Sequence, residues 1–323
     1  MKAIIRSAYG SPLNVLALKD VDLPVIRDDE VLVRVQAASV NAGDLPQVRG
    51  TPYIIRPVYG LRRPKRPLIG MDLAGTVERV GAKVARFSPG DEVFGGGVGT
   101  FAEYAAAPEK RLALKPDSLG FDDAAVLPVA GLTALQGIRD AAGVVEGHKV
   151  LINGASGGVG TFAVQIAKAL GAEVTAVCST RNVEQARSIG ADHVIDYTKD
   201  DFTKGVERYD VVFDNAASHS LADTRKVLTE TGVLIPNAGL LDSKWLASVP
   251  RMLGAVLSSG LSRKRAKIAA QGWSPDDLTA LGELIEVGKV TPIIDRTYPL
   301  TEAAQAVAYV GEGHARGKVV IAV

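Results

Sequence analysis

The stretch Val150-Leu-Ile-Asn-Gly-Ala-Ser-Gly-Gly-Val-Gly160 decides the fold of this 323-residue chain. Val150, Leu151 and Ile152 make a short apolar run of strand type, and a Gly-rich turn follows at once. Residues 161–170 then carry helical spacing, with Phe162, Ile166 and Leu170, or Ala163 and Ala167, on one face. A helix that starts straight after such a turn offers free backbone N–H groups. Gly157, Gly158 and Gly160 place no Cβ in front of them, and the helix dipole favours negative charge there. The expectation is a seat for a diphosphate, hence a dinucleotide site; the alternative is an ordinary tight connection between strand and helix.

The next strand-like run, Glu173-Val-Thr-Ala-Val-Cys178, stands at the distance a mononucleotide-binding unit requires. Its end carries no acid to meet a ribose 2′-hydroxyl. Cys178-Ser-Thr-Arg-Asn182 offers instead two hydroxyls and a guanidinium, groups suited to a 2′-phosphate. NADPH is therefore expected in preference to NADH.

Outward from this core, strand candidates alternate with helical segments at 149–152, 174–178, 193–196, 210–214 and 233–236, the pattern of a doubly wound parallel sheet. Ligands of such sheets bind at the C-terminal ends of the strands, which brings Asn215 and Asn237-Ala-Gly239 towards the Gly-rich turn. The N-terminal third differs: short β-branched or alternating runs at 2–7, 31–35, 72–80, 92–94 and 102–106 are separated by Gly, Pro and Asp turns. An apolar helix over 125–136 leads out of it. Beyond the nucleotide unit the pattern gives a helix at 245–261, a strand at 266–270, a helix from Ser274, a strand at 293–298, a helix from Glu302 and a last strand at 318–321. The expected organisation is a β-rich domain of residues 1–123 and 273–323 around a dinucleotide-binding domain of residues 124–272.

Composition narrows the function classes. Apolar residues at 47%, charged residues at 23% and a net charge of +1 fit a globular protein and give no reason to expect a nucleic-acid partner. The basic run Leu61-Arg-Arg-Pro-Lys-Arg66 reads as a solvated loop, with guidance of an anionic cofactor as its functional alternative. One cysteine, Cys178, rules out an intramolecular disulfide and a four-thiolate zinc site. With no signal-peptide core and no apolar run long enough to span a bilayer, a cytoplasmic location is expected. The strand edge at 266–270 offers a homodimer a place to form by edge pairing.

Several blocks together resemble the medium-chain dehydrogenase/reductase superfamily, and within it the zinc-free quinone oxidoreductases similar to zeta-crystallin. They are Ser39-Val-Asn-Ala-Gly-Asp44, Ile69-Gly-Met-Asp-Leu-Ala-Gly-Thr-Val77, Pro89-Gly-Asp-Glu-Val-Phe94, Leu127-Pro-Val-Ala-Gly-Leu-Thr-Ala134, the Gly-rich turn, Gly190-Ala-Asp-His-Val-Ile-Asp-Tyr197 and Gly313-His-Ala-Arg-Gly-Lys-Val-Val320. The resemblance implies an α/β fold, a doubly wound parallel Rossmann sheet plus a β-rich GroES-like catalytic domain. It also implies that Ser156, Gly158 and Val159 touch the diphosphate, that Ser179, Arg181 and Tyr197 lie near the 2′-phosphate, and that Asn41 and Thr133 lie near the nicotinamide. Asn215, Asn237, Ala238, Gly239, His314, Ala315 and Arg316 would line the rest of the groove. Bland alternatives stand beside these: backbone capping for Asn41 and Thr133, a core-edge aromatic for Tyr197.

The zinc alcohol dehydrogenases place Cys where this chain has Asn41, and His-Glu where it has Met71-Asp72, which makes a poor zinc site. The histidines at 148, 193, 219 and 314 lack metal-ligand spacing. Without a Lewis acid the hydride acceptor must already be electrophilic, so the expected substrate is a quinone or α,β-unsaturated carbonyl, reduced by NADPH. Tyr53 and Tyr59, in the segment 50–67, are candidate proton donors, with packing or solvent as alternatives. Two other readings remain: a non-catalytic NADPH-binding redox sensor, which binds without turnover, and a zinc-type alcohol dehydrogenase, which would carry stoichiometric metal.

Overall fold

The computed structural model describes residues 1–237, 254, 264–268 and 272–323. The chain divides into two compact units, the first made of Met1–Leu132, Gly272–Glu286 and Pro292–Val323, the second of Thr133–Gln271 and Val287–Thr291.

In the second unit six parallel strands form one sheet. In chain order they are β8 (Lys149–Asn153), β9 (Glu173–Cys178), β10 (His193–Asp196), β11 (Tyr209–Asp214), β12 (Leu228–Pro236) and β13 (Arg265–Ala266). Their order across the sheet is β10-β9-β8-β11-β12-β13, so the direction of winding reverses between β8 and β11. Val150, Leu151 and Ile152 of β8 are fully buried, as a central parallel strand covered on both faces must be, and each contributes about 1.5–3 kcal/mol over an exposed side chain. The helix Gly158–Ala169 is buried continuously from Gly160 to Ala167, a wider face than a single helical stripe, while Leu170 beyond its end is only half-buried. Gln165 on that helix exchanges two hydrogen bonds with the backbone of Thr291, at 3.0 and 2.7 Å, which ties the returning segment 287–291 into this unit.

The first unit holds a bent sheet of seven strands: β3 (Glu30–Val40), β4 (Asp72–Val80), β5 (Glu92–Gly96), β6 (Tyr104–Pro108), β7 (Leu112–Leu114), β14 (Ile294–Pro299) and β15 (Lys318–Ala322). β1 (Lys2–Arg6) and β2 (Leu16–Asp20) form a separate antiparallel ribbon. β15 lies antiparallel to β3, with Val319 opposite Val40 and Val320 opposite Ser39, and this register brings Lys318, at the start of β15, against the loop after β3.

Three details differ from the sequence pattern. The helix expected over 125–136 is broken into Phe121–Ala125, Pro128–Leu135 and a wider π-type turn Gln136–Ala142; Pro128 has no N–H to continue the first segment. The strand expected at 102–106 is displaced to Tyr104–Pro108, and β2 and β7 are strands for which the sequence pattern carries no expectation. The expected helix at 245–261 and residues 269–270 of the expected strand lie outside the described residues, apart from Gly254. No helix among the described residues is long and apolar enough to cross a membrane.

Candidate active site

The nucleotide turn is built by the end of β8. Gly157 takes the N-cap position in extended conformation, and the first i→i−4 bond of the helix runs from the Thr161 N–H to the Gly157 carbonyl at 3.0 Å. The N–H groups of Gly158, Val159 and Gly160 therefore precede the helical ladder and face outward from its positive end. Gly160 is dictated by packing: a Cβ there would stand 2.1 Å from the Gly154 carbonyl oxygen and 2.8 Å from the Ala155 Cα. A Cβ on Gly157 would meet nothing nearer than that same oxygen at 3.7 Å, so its absence leaves an open cradle rather than filling a tight contact. A diphosphate fits donors arranged in this way.

Ser156 Oγ accepts from Asn182 Nδ2 at 2.9 Å, and the same amide reaches Ser179 Oγ at 3.2 Å. Asn182 thereby links the diphosphate turn to the tip of β9. It is buried, and its Oδ1 has no hydrogen-bond partner. The sequence gives Asn182 no role; the available signal is a short polar residue directly before the helix Val183–Ser188, a place where side chains commonly reach back to the backbone.

The tip of β9 carries an acid after all, donated by its neighbour. Asp196, at the end of β10, accepts from Thr180 Oγ1 at 2.6 Å and from Thr198 Oγ1 at 2.7 Å, and those hydroxyls with the Thr198 N–H hold its carboxyl down to about 2. Of the two hydroxyls expected to serve a 2′-phosphate, Thr180 thus has its proton committed to Asp196. Ser179 stays half-buried beside Asn182, and Arg181 and Tyr197 are exposed, Tyr197 with its N–H bonded to the Cys178 carbonyl at 3.0 Å. Burial pushes the Cys178 thiol up to about 11, so it is a small core residue at neutral pH and no nucleophile.

At the winding reversal, Asn153 Nδ2 donates to Asp214 Oδ1 at 2.8 Å, and Asn237 Nδ2 donates to Asn215 Oδ1 at 2.8 Å. Asn215 and Asn237, just past the ends of β11 and β12, are brought together by that bond. Thr133 belongs to this unit and is buried. Ala238 and Gly239 lie outside the described residues.

The first unit holds the remaining expected residues. Asn41 is part of a buried polar cluster with Ser39, Asp44, Asp72 and Lys318. Asp72 Oδ2 accepts from Ser39 Oγ at 2.8 Å and Asn41 Nδ2 at 2.8 Å, with Lys318 Nζ at 3.5 Å; Asp72 Oδ1 accepts the Val129 N–H at 3.2 Å. Lys318 Nζ also donates to Asn41 Oδ1 at 2.6 Å and to the Val40 carbonyl at 3.2 Å. Lys318 thus fixes which way the Asn41 amide faces, a role the sequence does not reveal. Burial pushes Asp44 up to about 7, while its Oδ2 accepts the Asn41 N–H and its Oδ1 has no partner. A protonated Asp44 beside an Asp72⁻/Lys318⁺ pair leaves the cluster neutral overall, the arrangement that burial favours.

In the unfolded chain Asp44 titrates near ~3.9, so between there and about 7 the folded state holds the extra proton and stability falls as pH rises, levelling off above about 7. Relative to Asp44→Asn, the wild-type chain is expected to lose roughly 2 kcal/mol from about pH 5 to about pH 7. Urea midpoints of both proteins across that window check it; parallel curves would refute it.

His314, Ala315 and Arg316 lie in the loop that leads into Lys318, His314 and Arg316 exposed and Ala315 half-buried, held by a bond from the Arg316 N–H to Asp295 Oδ2 at 3.0 Å. The segment 50–67 is partly helical, with turns at Tyr53–Ile55 and Arg56–Tyr59. Tyr53 lies under the Arg56 guanidinium, 4.5 Å from ring centroid to Cζ, whereas Tyr59 lines a cavity of about 590 Å³ together with Met71, Trp273 and the residues on either side of Gly70.

Residues 27–117 match the alcohol dehydrogenase GroES-like domain family and residues 189–321 match the zinc-binding dehydrogenase family. The second description implies a metal, and the residues present do not fit one. The matching positions offer the Asn41 amide, the Met71 thioether and a carboxylate already bonded to a hydroxyl, an amide and an ammonium, which would repel a divalent cation. Among the described residues no group of three His, Cys, Asp or Glu stands ready for a metal.

Over 99% of its length the chain is 34% identical to a chloroplast envelope quinone oxidoreductase homologue of Arabidopsis thaliana, covering 98% of that protein. It is equally 34% identical to the NADPH-dependent alkenal/one oxidoreductase of the same plant's chloroplast, over 99% of this chain and 79% of that one. The solved quinone oxidoreductase of Coxiella burnetii superposes with a TM-score of 0.88 at 30% identity, covering 100% of this chain and 99% of that one. The chain belongs to the medium-chain dehydrogenase/reductase superfamily, in its quinone oxidoreductase family.

Proposed function

We propose that this protein is an NADPH-dependent oxidoreductase that reduces a quinone or an α,β-unsaturated carbonyl without a metal. The observation that supports the reading is the donor set at the positions where the zinc alcohol dehydrogenases carry Cys and His-Glu: the Asn41 amide, the Met71 thioether and an Asp72 carboxylate already bonded to Ser39, Asn41 and the Lys318 ammonium. With no Lewis acid to polarise a simple ketone, the acceptor must bring its own electrophilic carbon.

When bound, NADPH supplies a hydride from its nicotinamide. The chain's part is to bind and orient. Gly158, Val159 and Gly160 offer N–H groups to the diphosphate, and Asn182 holds Ser156 and Ser179 in register behind it. Ser179, Arg181 and Tyr197 are the groups we assign to the 2′-phosphate. Asn215, Asn237, Ala238, Gly239, Thr133, Asn41 and the turn His314-Ala315-Arg316 are assigned to the rest of the nucleotide. Tyr59, which lines the cavity, is the residue we assign as a proton source to the reduced product, with solvent as its competitor. The same reading places the enzyme in the cytoplasm as a homodimer paired along the sheet edge where β13 is the outermost described strand.

Loss of NADPH absorbance over a panel of quinones and alkenals tests the activity; NADPH binding without turnover of any of them would favour a binding protein instead. On cofactor choice, NADPH is expected to exceed NADH in kcat/KM by at least about tenfold, some 1.4 kcal/mol. Ser179→Asp is expected to reverse that order, since a second carboxylate beside Asp196 repels the 2′-phosphate and offers an acceptor to a 2′-hydroxyl. An unchanged ratio would remove Ser179 from the phosphate site.

A further inference from the structure

The cavity of about 590 Å³ in the first unit has an unusual lining for an acceptor site. Its walls are apolar, from Leu68, Ile69, Met71 and Trp273, yet four cations open onto it, Arg6, Lys65, Arg66 and Arg111, and no carboxylate is among the lining residues. Nor is that charge neutralised elsewhere: among the described residues none of the four has an ion-pair partner. Arg6 is the sharpest case. It is 3% exposed; its guanidinium donates to the Gln47 carbonyl and, at 2.8 Å, to the Arg66 carbonyl, and its Nε has no partner. Arg111 stacks on the Trp273 ring, 5.5 Å from the centroid, so one wall presents an aromatic face and a cation together.

A buried guanidinium without a carboxylate is an electrostatic cost that a bound anion offsets, and three further cations at one cavity reinforce each other's field. Apolar walls at the same time favour a flat or aliphatic body. We propose that the acceptor this cavity takes is anionic: an enone or quinone whose apolar body carries a carboxylate or another negatively charged group. This rests on the reductase reading given above and narrows it from electrophiles in general to charged ones. The basic run 61–66 thereby acquires a use in its last two residues, Lys65 and Arg66.

Two arms separate this inference from the reading beneath it. The first is calorimetric and needs no turnover: 4-propylbenzoate and its methyl ester, which have no reducible alkene, are titrated into the NADP⁺-saturated protein. The anion is expected to bind at least about tenfold more tightly at low ionic strength, with the gap narrowing as salt screens it. The double variant Arg66→Gln/Arg111→Gln, which keeps Arg6 and Lys65, is expected to reduce that preference by at least about threefold while binding the ester within about twofold of wild type, which also certifies its fold. Equal binding of the two compounds by the wild type, or an undiminished preference in the double variant, overturns the proposal. The second arm compares 4-carboxycinnamaldehyde with its methyl ester as substrates, expecting the anion to have the lower KM by a similar factor. If neither is reduced while the calorimetric preference stands, the anion site is supported and it is the reductase reading that fails.

Discussion

Lys318→Met is expected to destabilise the protein by about 3–5 kcal/mol, the cost typical of stranding one partner of a buried ion pair. The Lys318 side chain is 4% exposed and that of Asp72 is 0% exposed, so neither charge has water to fall back on. Methionine fills much of the same volume and removes all three donors, those to the Val40 carbonyl, Asn41 Oδ1 and Asp72 Oδ2. Asp72 would keep the Ser39 hydroxyl, the Asn41 amide and the Val129 N–H. Those dipoles do not replace a full charge, so burial would push Asp72 further up and the variant would lose stability as pH rises above the ordinary carboxylate range. Adding Asp72→Asn to Lys318→Met is expected to restore part of the loss, because the stranded charge is then gone. A double-mutant cycle on urea midpoints measures this coupling directly. The exposed pair Lys2–Asp20 serves as the contrast, expected to contribute less than about 1 kcal/mol. A Lys318→Met protein within about 1 kcal/mol of wild type would show that the cluster is held by its neutral hydrogen bonds alone.

The same cluster marks where sequence reasoning stops. The unit β8, turn, helix is legible because its signals are local: apolar residues of strand type, glycines at fixed offsets, then a 3.6-residue period. The parallel sheet follows from repetition of that pattern, and the quinone oxidoreductase family follows from short blocks that keep their order. Lys318 is different in kind. It lies 277 residues from Asn41 and 246 from Asp72, and only the antiparallel register of β15 on β3 puts it beside them. The cavity is assembled in the same way, from a strand residue at 6, a loop at 65–66, the turn at 111 and a residue at 273, none of which is near another in sequence except the loop pair. Asp196 shows a subtler limit. The end of β9 does lack an acid, as its own residues say, but sheet pairing sets the end of β10 alongside and supplies one.

Gly160→Val is expected to cost about 3 kcal/mol of stability and to weaken NADPH binding by at least about a hundredfold, and the reason is the rigidity of what the new side chain would strike. The Cβ would stand 2.1 Å from the Gly154 oxygen and 2.8 Å from the Ala155 carbonyl carbon, both backbone atoms. That turn cannot yield, since the Gly154 and Ala155 N–H groups are both bonded to the Val177 carbonyl of β9, at 3.2 and 3.1 Å. The helix Gly158–Ala169 must move instead, opening the packing of Phe162 and Ile166 against the sheet and displacing the first-turn N–H groups. Loss of binding in this variant alone would not place the diphosphate, because a damaged fold binds nothing well. Gly157→Ala separates the two effects. Its Cβ has 3.7 Å of clearance, and its φ of −82° suits alanine, so stability should stay within about 0.5 kcal/mol of wild type. The methyl group would nevertheless stand in the open cradle before the helix, and NADPH affinity is expected to fall by about tenfold. If Gly157→Ala binds NADPH as tightly as wild type, the diphosphate does not lie at this helix start, and the glycines serve only to seat a helix on a strand.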